Sequence, residues 1–207
     1  MTVSAGHSVP GDGLSGHGLR GRQLQGGEQA GGQPQGRADR LVADTLELLL
    51  GRWRLDRRLT DRRAGVTGRF TGEGQFVPAP GTGRRAGGGA ATEDAASRWC
   101  AELRYAEHGE LLFGDYAGTA SRALIYRGRP DGSADVRFGD GREFYRLDLG
   151  SGCWQAGHSC GRDRYAVSWR VLAENLLREH WTATGPGKDY ETVTTLSRLP
   201  GSGRLAP

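Results

Sequence analysis

From Trp53 onward, apolar residues recur at every second position in short runs separated by glycine-rich turns. A period of two puts one side of each run on a buried face, so the chain reads as an antiparallel sheet. Trp53, Leu55, Arg57 and Leu59 alternate with Arg54, Asp56 and Arg58. Phe70, Gly72, Gly74 and Phe76 alternate with Arg69, Thr71, Glu73 and Gln75. Glycines on an apolar face mark bends or bulges where a sheet curls tightly. The same pattern predicts strands at 99–107, 110–116, 121–127, 134–138, 143–149, 153–157, 165–173, 175–184 and 190–199. The turns between them include "PDGS", "GDGR", "GSG" and "GPGK".

One helix precedes the strands. Leu41, Thr45, Leu46, Leu48 and Leu49 have helical spacing, Asp39 stands where a cap belongs, and Gly51 ends the run. The expected helix is two to three turns long. The expected fold is mainly β: an antiparallel up-and-down barrel of about eight to ten strands with a short N-terminal helix.

Residues 1–40 are glycine- and glutamine-rich and hold no aromatic residue. Such a segment buries too little apolar surface to offset its ordering entropy and reads as a disordered tail. The barrel is expected over 41–200, with a second tail over 201–207.

Composition narrows the function. The net charge is +4, and the 28 cations are scattered among 24 acids without a run, which argues against nucleic acid. No stretch approaches the ~20 apolar residues of a membrane span. Three cysteines, Cys100, Cys153 and Cys160, make no disulfide framework, and no signal peptide is evident, so the expected location is the cytoplasm. An unpaired strand edge leaves monomer and homodimer both open.

Gly51-Arg52-Trp53, entered from a short helix, resembles the opening of the lipocalin/calycin group. In that group an arginine of the last strand stacks over the tryptophan, and Arg198 in "TTLSRL" stands at that place. The segments "LLLGRWRLDRRLTDRRAGVTGRFTGEGQF", "GDGREFYRLDL", "HSCGRDRY" and "TGPGKDY" look like an uncharacterised bacterial domain-of-unknown-function family of small lipocalin-like barrels, over roughly residues 46–199. In that family a histidine follows the phenylalanine of the "DGR-F" segment. Here the position is Tyr145, which removes whatever chemistry rests on the histidine. The resemblance implies a fold and brings no established activity.

The chemistry-bearing candidates are few. "HSCGRDRY" gathers His158, Cys160, Asp163 and Tyr165. A zinc site needs four ligands and the second pair is missing, so no metal is expected. The segment reads as a hairpin in which Gly161 makes the turn, Asp163 bonds turn amides, and His158 faces Tyr165 across the strands. Arg122 is in phase with Leu124 and Tyr126 and points inward, where it needs either Glu102 or a ligand anion. Arg142 either binds a ligand carboxylate or pairs with Asp140 at its turn. Lys188 is the sole lysine of the chain, and its ammonium suits an anion or a Schiff base.

The leading expectation is a barrel that binds a small amphipathic or anionic molecule through Arg122, Arg142, Tyr145, His158, Tyr165 and Lys188. The alternatives are an isomerase- or lyase-type enzyme using His158 and Tyr165 as an acid/base pair, a haem-binding barrel with His158 or His180 as ligand, and a filled structural barrel. The cofactor is unknown at this level.

Overall fold

The computed structural model describes residues 2–3, 42–80 and 102–201. The two tails, Asp39, Leu41, Trp99, Cys100 and the 81–91 loop lie mostly or wholly outside these residues. One helix, α1 (Thr45–Leu49), leads into ten long or medium strands: β2 (Gly51–Asp61), β3 (Val66–Pro78), β4 (Glu102–Phe113), β5 (Tyr116–Gly128), β6 (Ala134–Phe138), β7 (Glu143–Leu147), β8 (Cys153–Cys160), β9 (Asp163–Ala173), β10 (Leu176–Gly185) and β11 (Lys188–Arg198). A two-residue strand, β1 (Thr2–Val3), pairs with Ser121 and Ala120 of β5.

The ten strands form one antiparallel sheet in the order β7-β6-β5-β4-β3-β2-β11-β10-β9-β8. Neighbours in the chain are neighbours in the sheet except β7 and β8, and β2 pairs with β11 to join the two halves of the meander. The result is a curled up-and-down barrel whose two ends, β7 and β8, are not hydrogen-bonded to each other.

Curling depends on the glycines of β3 and β4. Gly72 and Gly109 face each other across the pair. A Cβ on Gly72 would lie 2.3 Å from the His108 carbonyl oxygen and 2.7 Å from Gly109 Cα. Gly109 therefore sits mid-strand and does not break it: β4 runs unbroken through His108-Gly109, and the expected turn between 107 and 110 is replaced by one at Gly114, with φ +57°. We expect Gly72→Ala to cost about 1–3 kcal/mol through overpacking against rigid backbone. Gly139→Ala, at a position where a Cβ meets nothing within 4 Å, should leave the urea midpoint unchanged.

The helix is shorter than the sequence pattern predicts and is capped by Asp44, whose carboxylate accepts from the Glu47 amide at 3.0 Å. Five residues suffice because tertiary contacts hold the helix. Leu46 and Leu49 are buried. The Thr45 amide donates to Gly132 O (2.9 Å), and the Leu149 amide donates to Thr45 Oγ1 (3.2 Å). The helix thus stops one end of the barrel.

At that end the arrangement implied by the lipocalin resemblance is present. Gly51 adopts φ 115°, a value that favours glycine. Trp53 is fully buried and donates from Nε1 to Leu49 O at 2.7 Å. The Arg198 guanidinium lies 4.1 Å from the Trp53 ring and donates to the carbonyls of Leu50 (2.6 Å) and Leu48.

Candidate functional site in the barrel interior

Strand alternation sends four charged residues inward among apolar neighbours. Arg57 is in phase with Trp53, Leu55 and Leu59, and Glu107 with Leu103, Tyr105 and Leu111. Arg122 is in phase with Leu124 and Tyr126, and Glu179 with Leu177. Arg57 binds Glu107 with both terminal nitrogens, at 2.8 and 2.9 Å, and donates from Nε to Thr194 Oγ1 at 2.8 Å. The Tyr105 hydroxyl donates to Glu107 at 2.5 Å, and Arg122 Nη2 donates to the same carboxylate at 3.2 Å. Arg122 Nη2 also lies 3.9 Å from Glu179. Two guanidinium groups and two carboxylates thus share the middle of the barrel.

The electrostatics follow from that sharing. Burial alone would push the Glu107 carboxyl up, but Arg122 and Arg57 outweigh it and hold the group well below the usual carboxylate range. Burial opposes the charge on Arg122 as well, and Glu107 and Glu179 overcome it and raise the guanidinium further. The Tyr105 phenol is pushed well up, first by burial and then by Glu107. Burial and the neighbouring Tyr126 and Glu179 do the same for Tyr145.

Beside this network stands an aromatic wall. Phe144 stacks on Trp181 at 5.2 Å and 9°, and Tyr145 of β7 stacks on Trp154 of β8 at 5.5 Å. The second contact joins side chains across the seam where the backbone ladder stops. Tyr145 also meets Trp181 edge-on at 5.5 Å. Four donor atoms of this region are buried and have no hydrogen-bond partner of proper geometry: Arg122 Nε, Tyr145 OH, Trp169 Nε1 and Trp181 Nε1. The Trp169 indole and the Tyr126 hydroxyl lie close enough to Tyr145 to act on it as poorly aligned hydrogen-bond partners. Buried polar groups without partners are rare in folded proteins and call for an explanation.

β6 covers Leu124–Gly128 of β5, and β1 pairs with Ala120 and Ser121, so Arg122 and Ala123 lie between the two partners. Arg122 sits just past that cover, points inward, and keeps 21% of its side chain exposed. Trp154 and Trp181 also face inward yet are only half-buried. A depression of about 610 Å³ lies at the Gly72–Gly109 bend, lined by Glu73, Gln75, His108 and Glu110 and also by the buried Glu107. At the hairpin end, Leu59, Phe113, Tyr190 and Thr192 border only about 10 Å³, room for about one water.

The candidates from the sequence do not converge on one place. Arg122 and Tyr145 lie in the interior cluster; the partners of Arg122 are Glu107 and Glu179, while Glu102 pairs instead with Arg127 at 3.0 Å. Tyr165 and Lys188 lie together near the β8–β9 and β10–β11 hairpins. The buried Tyr165 hydroxyl accepts from Lys188, which also pairs with Asp163 at 2.8 Å. Asp163 serves that cross-strand pair in place of the turn amides, and both bonds raise the ammonium above its ordinary value. Gly161 makes the turn at φ +60°, and His158 pairs in register with Tyr165. Arg142 is exposed, bonded to Asp140 at 2.7 Å, and lies over the Phe138 ring. His180 is on the outer face, 2.8 Å from Glu191. The residues missed at the sequence level, Arg57, Glu107 and Glu179, carried one signal: a charge in phase with apolar neighbours.

Fold and interior together define an antiparallel barrel with a charged, aromatic-walled centre. The chain belongs to a family of unknown function, DUF6314, whose pattern matches residues 49–198. No curated protein matches. Among solved structures, the chain is similar to the S-type phycobiliprotein lyase CPES from Guillardia theta, at 11% identity and TM-score 0.45, over 76% of this chain and 92% of the other. It is similar to a redesigned β-barrel, mFAP1, bound to DFHBI, at 13% identity and TM-score 0.35, over 74% and 97%. It is also similar to a DUF3598-family protein of unknown function from Nostoc punctiforme, at 11% identity and TM-score 0.35, over 77% and 50%. No helix among the described residues is long and apolar enough to cross a membrane.

Proposed function

We propose that the barrel binds a small, largely planar molecule in its interior, which sets acceptor atoms against Arg122, Tyr145, Trp169 and Trp181. The observation that carries this reading is the set of four buried donors without well-aligned partners. A structural barrel gains nothing from them, since an unsatisfied buried donor costs about 1–3 kcal/mol. A ligand acceptor recovers that cost on binding. The half-open faces of Trp154 and Trp181 supply the apolar contact, as in most small-molecule sites. Lys188 and Arg142 are occupied by Asp163 and Asp140 and lie outside the proposed site.

The test is titration with 2-naphthoate and 2-acetonaphthone, planar aromatics that bear a carboxylate and a carbonyl, followed by calorimetry. Tyr145→Phe should leave the free protein equally stable or up to about 1 kcal/mol more stable, because the hydroxyl gives up no well-aligned hydrogen bond. The same substitution should weaken the probe that binds several-fold. A loss of stability with unchanged binding would mean that Tyr145 is a structural residue.

A further inference from the structure

Resting on the proposed interior site, the geometry points to a narrower ligand class: we infer that the molecule carries an N–H donor next to its carbonyl acceptor, as a planar lactam or other cyclic amide does. The donors alone call for an acceptor. Glu179 adds the opposite demand. It is 4% exposed, and its cation partner is Arg122 at 3.9 Å, beyond hydrogen-bond reach. Glu107, by contrast, has both oxygens bonded, by Arg57, Tyr105 and Arg122. The two carboxylates of the network are therefore unequal: one is filled and the other retains acceptor capacity.

The unfilled carboxylate lies among the unfilled donors. Glu179 is the direct cross-strand partner of Trp169, whose Nε1 has no acceptor of proper geometry and whose side chain is 3% exposed. Trp181 is two residues along the same face of β10, and Tyr145 touches the Trp181 ring. Directly paired residues have Cβ atoms about 4.5–5.5 Å apart, so Glu179 and Trp169 can contact one edge of a single ring system. A carboxylate at this place also disfavours a second anion. The two arginines are already matched by two glutamates, and an added carboxylate would meet Glu179 at close range in a low-dielectric interior. A neutral amide edge meets both demands, because its N–H bonds Glu179 and its C=O takes a donor from the Arg122, Tyr145 and tryptophan set.

Three probes on the wild-type protein separate the possibilities: 2-quinolone, its N-methyl derivative, and 2-naphthoate. The expected result is that 2-quinolone binds and that N-methylation, which removes the donor and keeps the carbonyl, weakens it at least tenfold. Glu179→Gln, which keeps an acceptor oxygen but removes the charge behind it, should weaken 2-quinolone by less than N-methylation does, with folding checked by circular dichroism. The N-methyl comparison needs no variant and holds even if Glu179→Gln does not fold. If 2-naphthoate binds and 2-quinolone does not, or if N-methylation has no effect, the lactam assignment is overturned while the interior site stands. Absence of binding by all three, and by 2-acetonaphthone, overturns the site and the assignment together.

Discussion

Glu107→Leu should destabilise the protein by about 3–5 kcal/mol, the usual cost of removing one partner from a buried ion pair. The substitution leaves Arg57 and Arg122 facing each other in the barrel without the carboxylate they share, and Arg57 is 3% exposed. Against a typical total of 5–15 kcal/mol, such a loss leaves little folded protein at moderate temperature. Urea unfolding measures it. An exposed pair provides the comparison: Asp56→Asn, which breaks the Arg69 contact at 2.7 Å, should cost under about 1 kcal/mol. Acid gives a second view of the same group. The folded carboxyl titrates well below its usual value of 4.5. Its contribution is complete above that value and is lost as the pH falls toward the folded one, because the unfolded chain takes up the proton first. Glu107→Gln should flatten the stability profile below about pH 4.5. A variant that unfolds in acid as steeply as the wild type would place the charge balance elsewhere.

The second large effect is expected at the stopped end of the barrel. Trp53→Ala should cost about 3–5 kcal/mol, the range for deleting a buried large aromatic. The loss combines a fully buried side chain, the bond to Leu49 O, and the surface on which Arg198 stacks. Arg198→Ala should cost less, because the Leu48 and Leu50 carbonyls it serves lie near the helix end and can take water. If the two single effects and the double variant add simply, the stack contributes nothing of its own; a double cycle distinguishes this from coupling. A cost for Trp53→Ala below about 1 kcal/mol would mean that the helix does not depend on this corner.

The parts of the fold that follow from local period were legible in the sequence. Alternation around Trp53, Leu55 and Leu59 and the hairpin at Gly161 read correctly because each depends on residues close in the chain. The corner of Gly51, Trp53 and Arg198 was reached through resemblance, and its side chains stand as that resemblance implies. What the sequence hid was set by register. Arg122 was legible as inward-facing, but Glu107 faces it directly across the β4–β5 hairpin, a pairing lost when Gly109 is read as a turn, and Glu179 reaches it from β10 on the far side of the sheet order. Gly109 read as a turn signal because its reason for being glycine lies at Gly72, on another strand. The capping residue shifted from Asp39 to Asp44 because packing on the 132 and 149 turns, more than helical propensity, sets where α1 begins. Asp163 belongs to Lys188, 25 residues later in the chain, which no turn rule reveals.

The interior site also explains why its residues were hard to weigh one at a time. Tyr145 and Trp169 look like ordinary strand aromatics, and their importance lies in polar atoms left without partners once the strands assemble. The most direct test observes those atoms. In ¹⁵N-labelled protein, the indole N–H signals of Trp53, Trp169 and Trp181 can be assigned with Phe variants and followed during addition of 2-quinolone, 2-acetonaphthone or 2-naphthoate. The account predicts that Trp169 and Trp181 move as they gain an acceptor, while Trp53, already bonded to Leu49 O, stays in place. Indole signals of Trp169 and Trp181 that remain still with every probe would contradict a ligand in the barrel.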